Sequence, residues 1–144
     1  MSDSDLIKLY STRILALAAD IPHLGRLQAP QATARRRSPL CGSTVTVDVV
    51  VKDGKVAEFA QDVKACALGQ ASAAILGQVV IGRSLPELQS ARDAVQAMLR
   101  TSGPVPAAPF SGYETLLPAR DYKNRHASIL LALEAVCEAM EAAA

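Results

Sequence analysis

Two hydrophobic periods divide this chain, and the change from one to the other marks its organisation. Over residues 4–19, Leu6, Leu9, Tyr10, Ile14 and Leu17 recur near the helical repeat, with Ser4 or Asp5 available as a cap, so a first helix is predicted there. Pro22 and Gly25 end it, and a turn-rich segment follows to about Pro30. At "TVTVDVVV" the period shortens to two. Val45, Val47, Val49 and Val51 alternate with Thr44, Thr46 and Asp48, the pattern of a half-buried strand. Asp53-Gly54 is a favoured pair for a tight hairpin turn, and "VAEFAQDV" returns antiparallel. Residues 31–38, "QATARRRS", add a third strand at the edge, where arginine side chains are tolerated.

From Cys66 the helical period resumes. Leu68, Ala71, Ser72, Ile75, Leu76 and Val79 form one continuous stripe, and Gly82 stops that helix. "SLPE" starts the next, with Ser84 as cap and Glu87 completing a capping box, and this helix runs to about Leu99. Residues 101–112 hold three prolines and two glycines and read as an irregular connection. A last helix begins near Tyr122 and turns Leu130, Leu133, Val136 and Met140 to the core. The expected fold is α+β: an N-terminal helix and a small antiparallel sheet of about three strands, covered on one face by helices.

Composition narrows the class. A length of 144 residues with 50% hydrophobic and 20% charged residues is expected to form a single soluble domain spanning 1–144. The net charge of +1 provides no global attraction to nucleic acid or an anionic membrane, and Arg35-Arg36-Arg37 is the one concentrated basic run. On charge patterning it reads as a solvated strand or loop face. No apolar run approaches the length of a bilayer span, and the first residues lack the pattern of a signal peptide. Three widely spaced cysteines do not make a disulfide framework, and thiols without an export signal point to a cytoplasmic protein.

The candidate chemistry lies in those cysteines. Cys41 stands in "SPLCGS", a constrained turn before the long strand. Cys66 follows the second hairpin strand at a helix N-terminus, where free N–H groups and the macrodipole favour a thiolate. A hairpin sets the start of its first strand beside the end of its second, so Cys41 and Cys66 converge at one end of the sheet. Such a pair suits a zinc ion or an iron–sulfur cluster, although two thiolates alone do not complete a tetrahedral site. Two unrelated buried thiols are the competing reading. Cys137 lies on the apolar stripe of the last helix and reads as a small core residue. His126 opens that helix, and it gains a role only if the helix start points at the cysteine pair. His23 receives no functional reading.

At these residues the chain resembles the iron–sulfur cluster assembly scaffolds of the IscU, NifU and SufU type. "PLCGS" is similar to the family's Asn-Pro-x-Cys-Gly-Asp turn, and the hairpin follows it. "CALGQASAAILGQVVIGRSLPEL" resembles the second cysteine and its helix, nearest the SufU branch, and "HASIL" resembles the family's His-Cys-Ser-Ile-Leu. The resemblance implies a scaffold or carrier, not an enzyme, in which three cysteines and an aspartate surround zinc or a nascent cluster. Cys41 and Cys66 carry over as ligands. Ser43 stands at the aspartate position and Ala127 at the third cysteine. Cys137 cannot replace the latter, lying ten residues on, about 15 Å along a helix. The set that remains is Cys41, Cys66 and His126, with Ser43 as a poorer neutral donor. Arg120 falls near the family's basic residue before that segment, but three residues out of spacing.

The same resemblance implies a cysteine desulfurase and other iron–sulfur assembly proteins as partners, with neither nucleic acid nor membrane, and leaves a homo-oligomer open. Its alternative is a degenerate scaffold that docks a desulfurase or an assembly ATPase without carrying a cluster. A thiol enzyme with Cys66 as nucleophile and His126 as base ranks last, since no oxyanion-hole or substrate motif accompanies them.

Overall fold

The computed structural model describes residues 11–39 and 42–144. Helix α1 spans Thr12–Ala18, strands β1, β2 and β3 span Ala32–Arg37, Thr44–Lys52 and Lys55–Lys64, and α2 spans Ala67–Val79. Helix α3 covers Leu85–Arg100, a 3-10 segment covers Ser111–Asp121, and α4 covers Lys123–Ala143. The sheet is antiparallel in the order β1-β2-β3. This is the α+β arrangement with three strands that the periodicity predicts. The turn between β2 and β3 places Asp53 at φ 54° and Gly54 at φ 74°, the backbone a tight hairpin demands.

Alternation decides which side chains meet the helices. Val45, Val47 and Val49 of β2 are buried, and across β3 they oppose Val63, Gln61 and Phe59. Helix α4 packs against β1 and β2 on this face and also holds α2 and α3. Helix α2 is consequently enclosed: from Leu68 to Gly77 every residue but Gln70 is buried. The expected stripe is thus only part of its contact surface. Small residues, Gly69, Ala71, Ser72, Ala73, Ala74 and Gly77, let neighbours approach it from all sides. Burying each of its larger aliphatic side chains contributes roughly 1.5–3 kcal/mol.

Three local readings change. The N-cap of α1 is Ser11, whose hydroxyl accepts from the Ile14 N–H, so a helix boundary falls inside the stretch read as one helix. Residues 4–10 and the caps Ser4 and Asp5 lie outside the described residues. The connection after α3 is not wholly irregular, because residues from Ser111 wind as a 3-10 helix that buries Tyr113, Leu116 and Ala119. The second sheet face is also partly covered. Asp48, on that face, has a fully buried carboxylate that accepts from Arg26 Nε at 2.6 Å, Leu27 N at 3.0 Å and Thr33 Oγ1 at 2.6 Å. The chain after Pro22 therefore crosses this face and is pinned to β2.

Gln61 fixes the same segment at the other strand edge. Its Nε2 donates to Pro22 O at 3.1 Å and to Ala73 O of α2 at 3.0 Å. A Cβ at Gly77 would come within 3.0 Å of that Nε2, so the glycine permits the clip.

Candidate functional site

The site forms where the hairpin hands the chain to α2. Thr44 pairs with Lys64, so Ser43 and Ala65 are the next residues out on adjacent strands. Ser38 N–H donates to Ser43 O at 2.8 Å, and Gly42 N–H donates to Ser38 O at 2.9 Å, tying Ser38 to the start of β2. Gly42 adopts φ 70°, a conformation that a side chain would strain. Cys41 itself lies outside the described residues.

Cys66 is the N-cap of α2, half-buried, in extended backbone conformation, and its side chain makes no capping hydrogen bond. The thiol instead meets α4: Cys66 Sγ lies 3.4 Å from Ser128 Oγ. Ser128 Oγ in turn donates to Ser43 Oγ at 3.1 Å. Thiol and two hydroxyls make one chain linking the helix end, α4 and the strand entrance, and both serines are buried. The approach requires Gly69, because a Cβ there would sit 2.6 Å from Ser128 Oγ and 2.8 Å from Ala65 Cβ. Ser72 Oγ, one turn along α2, donates to the Ile129 carbonyl and holds the two helices in register beside the thiol.

The structure does not bring every expected donor to this point. His126 is 2% exposed, and its Nε2 sits 2.9 Å from Ala119 O and 3.0 Å from Arg120 O. It precedes Ser128 by two residues, about 200° around a helix. The histidine side chain therefore serves the junction between the 3-10 segment and α4, beside a cleft of about 440 Å³ lined by Arg100, Arg120 and Lys123. Ala127 is half-buried at the helix start. Arg120 donates to Met98 O at 2.8 Å and Gly103 O at 3.2 Å, so it caps the end of α3. Cys137 is 1% exposed in the core, and burial pushes its thiol up to about 11.

Ser128 and Gly69 are the contributors that sequence reading missed. A serine on the buried stripe of α4 and a glycine in the first turn of α2 were the available signals. Neither shows its partner without the helix–helix contact.

Among the described residues no group of three or more His, Cys, Asp and Glu converges to hold a metal ion. Among the described residues, the donors beside Cys66 are two neutral hydroxyls bonded to one another. By themselves those hydroxyls and Cys66 do not make a four-coordinate zinc site.

With this geometry in view, the NifU-like N-terminal domain family model matches residues 9–128. The chain belongs to that family. It is similar to the crystal structure of the N-terminal part of a nitrogen-fixing NifU-like protein from Brucella abortus, at 45% identity and TM-score 0.93, with 96% of each chain covered. A structure from Fervidobacterium islandicum, described as an iron–sulfur cluster assembly scaffold protein for the SUF system, shares the fold at 18% identity and TM-score 0.81, covering 93% of this chain and 98% of that one. A comparison with curated proteins finds no match. The expected family and fold class are thereby borne out. Within this NifU-like fold, the Cys66–Ser128–Ser43 chain occupies the end of the sheet at which the motif resemblance set its first two cysteines.

Proposed function

We propose that the protein is an iron–sulfur cluster assembly scaffold or carrier whose cargo is received at Cys66 together with Cys41. The observation that carries this reading is the half-buried Cys66 at the N-terminus of α2, its side chain making no capping hydrogen bond, in a chain of the NifU-like family. Backbone N–H groups at a helix start can donate to the sulfur of a bound cluster. The cluster is cargo rather than a resident group, which suits a site with few protein ligands. A cysteine desulfurase would supply the sulfur, and the cytoplasm, where free thiols such as Cys66 and Cys137 persist, is the expected compartment.

Anaerobic reconstitution with ferrous iron and sulfide tests it. The wild-type chain is expected to take up iron and gain a visible chromophore, and both Cys66→Ser and Cys41→Ser to lose them. Equal iron and absorbance in all three proteins would remove the cysteines as ligands.

One observation favours a second reading. Ser43 is hydrogen-bonded to Ser128, and His126 faces backbone carbonyls, so neither is directed to a metal at Cys66. In that reading the protein docks a desulfurase or an assembly ATPase and carries no cluster. Complex formation with a desulfurase that survives loss of both thiols, together with no iron uptake, would select it.

A further inference from the structure

The arginine run has a definite place in the sheet. Arg36 lies on the α4 side, where it pairs with Glu134 at 3.6 Å, so Arg35 and Arg37 project from the opposite face. The register aligns Arg37, Thr44 and Lys64 as the last row of that face, with Arg35, Thr46 and Asp62 as the row behind it. Three strands make each row about 10 Å wide. Arg35, Arg37 and Lys64 are exposed, and none of them forms an ion pair among the described residues. Asp62 lies in the second row, so the two rows together carry three cations and one acid. The next row is closed by the segment over Asp48, and at this end Arg35, Arg37 and Lys64 are exposed among the described residues.

This row also lies at the end of the sheet where the chain passes to Cys66. Cys66 follows Lys64 by two residues, at most about 7 Å of chain, inside the ~8–10 Å over which a surface charge acts at physiological salt. Other acids gather at a distance: Asp93, Glu134, Glu138 and Glu141 line a cleft between α3 and α4, together with Arg36 and Arg92.

We propose that the Arg35–Arg37–Lys64 end of the open sheet face is a docking surface for a partner protein bearing an acidic patch, and that it guides that patch to Cys66. The inference rests on the reading of Cys66 as the functional thiol. Charge complementarity selects the occupant: three exposed cations without ion pairs, at the sheet end that leads to Cys66, attract a compact acidic surface. A nucleic acid is the poorer match. Its backbone is gripped by longer basic tracks with aromatic stacking platforms, whereas aromatic residues are 3% of this chain.

The test measures the field at the thiol. A decaglutamate peptide and a Gly/Ser peptide of equal length, each ending in a cysteine activated as a pyridyl disulfide, are reacted with the full chain. Cys66 attacks the disulfide, a protein–peptide disulfide forms and pyridinethione leaves; mass spectrometry reads labelling at Cys66 alone. The ratio of the two rates cancels the thiolate fraction and isolates steering. The acidic peptide is expected to react ~10-fold faster or more in low salt, and 0.5 M salt, a chosen condition of roughly 4 Å Debye length, is expected to collapse the ratio.

Arg35→Glu/Arg37→Glu/Lys64→Glu is expected to invert the ratio, and the neutral triple Gln variant to bring it near one. Lys52→Glu/Lys55→Glu, at the far hairpin end, is expected to leave it unchanged. A ratio of one in the wild type, or equal effects of the near and far variants, would overturn the proposal. A thiol-activated single-stranded DNA that outpaces decaglutamate would replace the protein partner with a nucleic acid and overturn it as well. The rate ratio involves no iron and the reconstitution involves no docking, so each reading fails separately.

Discussion

Gly69 and Ser128 show how a single absent methyl group positions chemistry. Cys66 Sγ reaches Ser128 Oγ only because α2 carries no Cβ where the hydroxyl lies. Gly69→Ala is therefore expected to destabilise the fold by about 1–3 kcal/mol, the usual cost of forced overpacking. It should also push Ser128 off the thiol. Denaturant unfolding reads the first effect, and the rate of Cys66 alkylation at fixed pH reads the second. At the same scale His126 departs from its sequence reading. A histidine at a helix start looks solvated in one dimension, yet its Nε2 is occupied by two carbonyls from the preceding 3-10 segment. No spacing rule reports a carbonyl six or seven residues upstream turning back.

Among the elements, α3 was the most legible and α2 the least. Ser84 and Glu87 form the capping box their spacing predicts: Ser84 Oγ accepts from Glu87 N at 3.4 Å, and Ser84 N donates to Glu87 Oε1 at 3.1 Å. Ser84→Ala is expected to cost about 1 kcal/mol, measured by chemical denaturation. Asp48 ties the crossing segment to β2 in a way that alternation alone could not suggest, since a carboxylate on an exposed face needs no partner. Asp48→Asn keeps the shape while weakening the charge-assisted bonds from Arg26, Leu27 and Thr33, and should lower stability by about 2 kcal/mol at neutral pH. In α2 the period revealed a stripe but not an enclosed helix. Small residues fit several patterns, and only contact with α1, α4 and the sheet edge explains why so many are required.

Over the whole molecule, ionisation limits stability at both ends of the pH scale. The Arg26 guanidinium and the neighbouring N–H and O–H donors hold the folded Asp48 carboxyl below its ordinary value of 3.8. Its contribution is therefore complete above about pH 4 and is lost as pH falls through the lowered folded value. Cys137 behaves oppositely. Burial raises its thiol from 9.0 to about 11, so the neutral form stabilises the fold below about pH 9 and that stability fades as pH rises toward 11. Tyr113, fully buried, is raised above its ordinary 10.0 in the same sense. Thermal unfolding should show a plateau between these limits. Asp48→Asn is expected to flatten the acid limb, and Cys137→Ala to soften the alkaline one.

What the sequence determined by itself was periodic or local. Strands, hairpin, capping box and core stripes follow from side-chain alternation and from backbone preferences within a few residues. The motifs likewise carried the family, because they preserve residue types at short spacing. Only the tertiary structure decided which side chains share a space: Ser128 with Cys66, His126 with two carbonyls, and Arg35, Arg37 and Lys64 on one end of one sheet face. Those meetings join residues far apart in the chain. They depend on strand register and helix packing, and a linear pattern specifies neither until the chain has closed on itself.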